Sequence, residues 1–366
     1  MRTVPLLTML WFMSAPHQLS YAALARRQWL ASCSLWTACM VLAPGHVRAA
    51  GDKFHLSLAL DDKASMFHLP LLLAEQLGFF AAEGLEVDLV EQPSQGQAMA
   101  GLTHGSIDVL CAPYENALLL QHRGFDAVSM VQIARTPQWV LGVSHKNIPN
   151  FKTLADLRGK RIGMIDPEGS AYRCLSMSLL RTGIQPNEIN AVFVQSSVHA
   201  LVAMRSGTID ALFACDPLMT ALEQKDDVTV ISNFRTLQQT QRVFGGLLPG
   251  NGLIASRVFV EKNPQVFQSL VAAVMRSLKW LRTAGPSDLL RYLVDNPVLP
   301  DRLVYLNAVD NLRESFSRDG WLSSEAQQVS MRMLGLLDPS FNPRSAAWQS
   351  TVRNDFVKVA KQRLRM

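Results

Sequence analysis

The chain is poor in the residue patterns that phosphate, metal and acyl-transfer chemistry use. Across 366 residues there is no G-x-G-x-x-G, no phosphate-loop GK[ST], no G-x-S-x-G and no pair of histidines at metal spacing. None of these signatures therefore designates a catalytic residue, a cofactor or a metal ligand. Cysteine is scarce. Of five, Cys33 and Cys39 lie in the first fifty residues, leaving Cys111, Cys174 and Cys215. Three thiols cannot all pair internally, and they read as small buried apolar groups. After residue 50 no apolar run is long enough to span a bilayer.

Strong charge is also missing. The net charge of +5 owes most of its size to Arg2, Arg26, Arg27 and Arg48. Without residues 1–49, 31 basic side chains face 30 acidic ones, and such a balance excludes a nucleic-acid partner that needs many Lys and Arg contacts. The first segment itself reads as an export signal. Arg26 and Arg27 precede an apolar run from Trp29 to Leu42, Pro44 and Gly45 break it, and Val47-Arg48-Ala49 offers a cleavage site after Ala49. The run from Ala25 to Leu30 resembles a twin-arginine signal, with an ordinary secretory signal as the alternative. The expectation is a signal peptide over 1–49 and a periplasmic protein of 317 residues, enough for two lobes at the usual ~100–200 residues per domain.

What is present is a repeat. Residues 54–60 alternate as a strand, a helix is expected from Phe67 to Leu77 ending at Gly78, and strand pattern returns at Leu85, Val87 and Leu89. A helix over 96–104 ends at Gly105 and a strand follows over 107–112. The order then recurs: strand 161–165, helix 171–182 ending at Gly183, strand 191–195, helix 198–206 ending at Gly207, strand 209–214. GSID at 105–108 returns as GTID at 207–210. Glycine ends a helix cheaply, and Asp108 and Asp210 are expected to serve backbone donors in the turns. From Val258 the chain reads helical, with an apolar stripe Phe267, Leu270, Val271, Val274, Leu278, Leu281 that Gly285-Pro286 stops. Further helices over 287–294, 301–317, 323–335 and 346–364 have no repeat partner and are expected to pack on the first lobe.

Two βαβαβ series imply two sheets flanked by helices, with ligands beyond the carboxyl ends of the strands. The loops there hold the candidate ligand-binding residues. They are Asp62, Ser65 and His68; Ser94 and Gln95; Tyr114, Glu115 and Asn116; Trp139; Glu168, Ser170 and Tyr172; and Asp216. Ser94 and Ser170 open helices, where free N–H groups attract anions or acceptors, although each serine also suits a plain cap. Tyr114, Trp139 and Tyr172 suit stacking on a flat ligand, and Asp216 suits an amine.

The stretches 67–91, GLTHGSIDVL (101–110), LADLRGKRIGMI (154–165), AMRSGTIDALFACDP (203–217) and GLIASRVFVEKNPQV (252–266) together resemble the nitrate, sulfonate, taurine and thiamine-precursor family of ABC-transporter substrate-binding proteins. The resemblance implies an α/β, type II two-lobed periplasmic binding fold with a helical C-terminal extension. It places lobe 1 at 50–141 plus 248–366 and lobe 2 at 142–247, with hinges near Gly142 and Leu247. It also implies a small-molecule solute, a permease partner at the inner membrane and a monomer. The same resemblance contains an enzyme: fungal thiamine pyrimidine synthases share the fold and a histidine where His68 stands. Those synthases carry a CCCFC motif where this chain has Phe244-Gly245-Gly246-Leu247-Leu248 through Gly252, so the iron-handling chemistry lacks its ligands here. A binding lobe acting as a sensor for a partner protein predicts the same fold.

Overall fold

A computed structural model describes residues 53–165, 169–292 and 301–366. The expected signal over 1–49 and the candidate Glu168 lie outside these. Among the described residues ten strands run in chain order: β1 Phe54–Leu60, β2 Leu85–Glu91, β3 Val109–Pro113, β4 Ala127–Gln132, β5 Val140–Ser144, β6 Arg161–Met164, β7 Asn190–Phe193, β8 Ala211–Ala214, β9 Val228–Asn233 and β10 Asn251–Ser256. They form two five-stranded sheets, β2-β1-β3-β10-β4 and β7-β6-β8-β5-β9. In each, four strands run in one direction and the fifth, β10 or β5, lies antiparallel to both its neighbours. That inserted strand is in both cases the first one after the chain passes from one sheet to the other.

Strands β3, β4, β5 and β8 are buried along their whole length, as strands covered on both faces are, whereas the edge strands β2 and β7 keep exposed positions. In β3, Val109 and Cys111 join the core beneath the helices Leu69–Gln76 and Pro264–Thr283, while Leu110 and Ala112 face the opposite core with Tyr114 and Leu118. In β8, Ala211 and Phe213 split from Leu212 and Ala214 in the same way. Cys111, Cys174 and Cys215 are buried free thiols.

The repeated signature has one structural meaning in both copies. Gly105 and Gly207 end the helices Gln95–His104 and Ser197–Ser206 with φ of 76° and 78°, where a side chain is disfavoured. Three residues on, Asp108 accepts the backbone N–H and the hydroxyl of Ser57, and Asp210 accepts the backbone N–H and guanidinium of Arg161. Each aspartate thus ties its strand's entry turn to the neighbouring parallel strand, β1 for Asp108 and β6 for Asp210.

The chain passes between sheets over Ile133–Trp139 and again ahead of β10. The expected turning point at Gly142 falls inside β5, which pairs with β8 from Val140 onward, so the first passage lies N-terminal to it. The two passages bond to each other: Gly250 N–H donates to Ala134 O at 3.0 Å, and Ala134 N–H to Asn251 O at 2.9 Å. A third segment joins them, since Arg135 N–H donates to Ser315 O at 2.6 Å and Gln138 Nε2 to Ser315 Oγ at 2.6 Å.

The C-terminal helices do more than complete the first lobe. The helix Pro264–Thr283 fills its core as the apolar stripe implies. The helix Ser324–Leu337, however, sends Val329 and Met333 into the core of the second sheet and Leu334 into that of the first. From Arg302–Leu312, Asn311 donates to Thr220 at 3.0 Å. The expected helix over 346–364 is two elements, a 3-10 helix Ala346–Thr351 and an α-helix Asp355–Leu364. Val352 leaves the helix between them to bridge Ser129 at the edge strand β4.

Candidate functional site

A cavity of about 510 Å³ opens where the strand ends of the two sheets meet. Its first-lobe wall is the turn after β1, with Asp61, Asp62, Ala64, Ser65 and Phe67, and the turn after β2, with Glu91, Gln92, Pro93, Ser94 and Gln95. The second-lobe wall is Ile165 after β6, Gln195, Ser196, Ser197 and Val198 after β7, and Cys215 after β8. Trp139, on the first passage between sheets, forms part of the floor. The volume suits a small solute.

Five sequence candidates line this cavity: Asp62, Ser65, Ser94, Gln95 and Trp139. Trp139 is held by an edge-to-face contact with Phe67 at 4.7 Å and by Phe213 behind it at 5.8 Å. Phe67, although carried by the first lobe, belongs to the second lobe's core. Nearby, Ser65 Oγ lies 3.3 Å from Cys215 Sγ and Met66 N–H donates to Asp216 O at 3.0 Å. The β1 turn therefore touches both lobes. Burial pushes the Cys215 thiol well above its ordinary range, which keeps it neutral.

The other described candidates stand behind the wall. Asp216 does not face a ligand amine. Both its oxygens take the Arg235 guanidinium, at 2.6 and 2.8 Å, and one accepts the Thr220 hydroxyl at 2.7 Å. Tyr114 is buried with its hydroxyl on Thr351 at 2.7 Å, so it is a core residue and no stacking platform. Glu115 and Asn116 are buried and meet Arg173 across the lobes at 3.5 and 3.2 Å. Asn116 Nδ2 also donates to Gln95 Oε1 at 3.3 Å, which fixes a cavity residue from behind. Ser170 is buried beside Cys174, and Tyr172 packs partly buried on the second lobe's core.

His68 is wholly buried. Its Nε2 lies 2.6 Å from Asp61 Oδ1, and Asp61 stands between the ring and the cavity. Burial works against the imidazolium, but the neighbouring Cys111 thiol and Asp61 carboxylate outweigh it and hold the His68 pKa up at about 10. Burial likewise opposes ionisation of Asp61, and the bond from His68 overrides it, so that pKa is lowered. The two form an ion pair whose carboxylate faces the solute space.

Sequence reasoning passed over the turn Gln195–Val198. The repeat register pointed there: Ser94 and Ser196 are 102 residues apart, the same offset as Gly105 and Gly207. Each caps its helix alike, Ser94 Oγ accepting from Gln97 N–H and Ser196 Oγ from His199 N–H. Two helix N-termini thus reach the cavity from opposite lobes. Glu91, at the last position of β2, also lines the cavity and is not among the sequence candidates.

The fold is that of two-lobed periplasmic binding proteins. A solved protein of Bordetella bronchiseptica RB50 is 30% identical, with a TM-score of 0.81 over 86% of this chain and 99% of that one. The alkanesulfonate-binding protein SsuA of Xanthomonas axonopodis pv. citri, solved with MOPS, is 20% identical with a TM-score of 0.65, covering 84% and 99% of the two chains. Among curated relatives, the 4-amino-5-hydroxymethyl-2-methylpyrimidine phosphate synthase of Aspergillus parasiticus is 24% identical over 293 residues, 76% of this chain and 82% of that protein. The synthase of the same name from Schizosaccharomyces pombe is 26% identical over 149 residues, 40% of this chain, and the match spans 41% of its own length. The family model described as NMT1/THI5 like matches residues 65–285, a span that holds most of the cavity wall and both copies of the repeated signature; the chain belongs to the NMT1/THI5-like family.

Proposed function

We propose that this chain is an exported, monomeric solute-binding protein of an ABC importer, which closes its two lobes on a small molecule and presents it to a permease at the inner membrane. One observation carries the reading: the cavity is lined from both sheets at the carboxyl ends of their strands, with an aromatic floor on the passage that joins them. Solute in such a place touches both lobes at once, so its binding free energy favours the closed form. The bonded passages Ile133–Trp139 and Leu247–Gly250 are the proposed hinge, and the export reading of residues 1–49 supplies the compartment.

Thermal unfolding of residues 50–366 against a panel of small solutes tests this. A ligand at ~100 times its Kd stabilises by about 2.7 kcal/mol. Absence of a shift with every solute contradicts the reading.

A second reading, a pyrimidine synthase, is favoured by the names of the curated relatives and by His68. Two features support binding instead. The His68 ring is wholly buried, with Nε2 committed to Asp61, and the segment Phe244–Gly252 contains no cysteine. Release of a pyrimidine product on incubation with pyridoxal phosphate and iron would establish the synthase and remove the importer.

A further inference from the structure

The charge lining the cavity bears on the class of solute, on the basis of the solute-binding reading above. Three carboxylates, Asp61, Asp62 and Glu91, line it, and among its described lining residues there is no lysine, arginine or histidine. The sequence between Ile165 and Gly169, Asp166-Pro167-Glu168, contains no basic residue either.

Two positive contributions oppose these carboxylates. The His68 imidazolium is spent on Asp61 at 2.6 Å. The N-termini of the helices Gln95–His104 and Ser197–Ser206 each contribute about half a charge, part of it already met by the caps Ser94 and Ser196. With Asp61 cancelled by His68, and the two helix ends set against one further carboxylate, about one negative charge remains unmatched. Arg235, behind Cys215, does not reach it, being taken up by Asp216 and Glu223. The same cavity presents Phe67 and Trp139, whose ring faces attract cations.

We propose that the solute is a small organic cation, a protonated or quaternary amine on an apolar or aromatic body, held by Asp62 and Glu91 with Phe67 and Trp139 against its body. The free helix-end N–H groups then receive an acceptor atom of the same solute, and organic anions such as sulfonates are rejected. The state of Asp62 agrees with this. Burial, with the Asp61 and Glu91 charges beside it, pushes its carboxyl above the ordinary value, and a bound cation relieves that penalty.

A charge-matched series separates this from the broader reading: trimethylammonium, sulfonate and alcohol head groups, each on hexyl, benzyl and phenethyl bodies, titrated calorimetrically into residues 50–366. The expected result is binding of ammonium compounds at least tenfold tighter than the matched alcohols, and no heat from the sulfonates. Asp62→Asn and Glu91→Gln should each remove most of that preference, read as the ratio of the ammonium to the matched alcohol dissociation constant in the same variant. Tighter binding of the sulfonates overturns the cation assignment and leaves a solute-binding protein. No binding by any compound of the series, together with no shift in the wider solute panel, overturns both.

Discussion

Arg235 is 1% exposed, yet its guanidinium makes four oxygen contacts, two with Asp216 and one each with Thr220 and Glu223. Removing one partner of a buried pair leaves the other charge uncompensated, which costs about 3–5 kcal/mol. Arg235→Met should lower stability by that order in urea unfolding; a loss below about 1 kcal/mol would show the pair to be dispensable. His68 gives a pH dependence of opposite origin. Its pKa is raised from 6.5 to about 10 on folding, so its contribution is full below pH 6.5 and fades as pH rises through about 10. The Asp61 pKa is lowered from 3.8, so that contribution is present above 3.8 and fades only as pH falls below it. Urea midpoints of the native protein should therefore decline from pH 7 to pH 10 more steeply than those of His68→Gln, and parallel declines would contradict the ion pair. At this scale the sequence was a partial guide. Residues just past a strand end were legible as a group, but Asp62 and Asp216 look alike there. What separates them is Arg235, nineteen residues after Asp216, and no local pattern announces a pairing made by tertiary packing.

Elements were more legible than residues, because their signals are local. The strand period, the capping serines and the terminal glycines belong to single turns of chain, and the doubled register of Gly105 and Gly207 carried the two-sheet architecture. The misreadings occurred where a distant element intervened. Val352 breaks the last expected helix to meet Ser129, and β5 begins at Val140 because β8 and β9 wait on either side. Two glycine substitutions test the elements. Gly207→Ala places a side chain at φ 78° and should cost about 1–2 kcal/mol, read as a lower urea midpoint. At Gly250 the conflict is steric: a Cβ would lie 2.2 Å from the Thr136 carbonyl oxygen, backbone against backbone. Gly250→Ala should force the two passages apart and cost about 1–3 kcal/mol or more, whereas an unchanged midpoint would mean that the passages yield freely.

At the scale of the whole molecule, two sheets of one design are joined by passages that bond to each other and to the Ser315 segment. The lobes meet again at the cavity through Ser65 with Cys215, and behind its wall through Arg173 with Glu115 and Asn116. A solute that bridges these walls adds contacts only when the lobes are together. Trp139 stands at the junction of both features, on the first passage and on the cavity floor, with its ring fixed by Phe67 and Phe213. The central claim is that a small solute is held there. The most direct measurement is thermal unfolding of residues 50–366 with and without each solute of the panel, repeated on Trp139→Ala. The account predicts at least one solute that raises stability by about 2.7 kcal/mol at ~100 times its Kd, and loss of most of that gain in the variant. Absence of a stabilising solute, or a gain that survives Trp139→Ala undiminished, would contradict it.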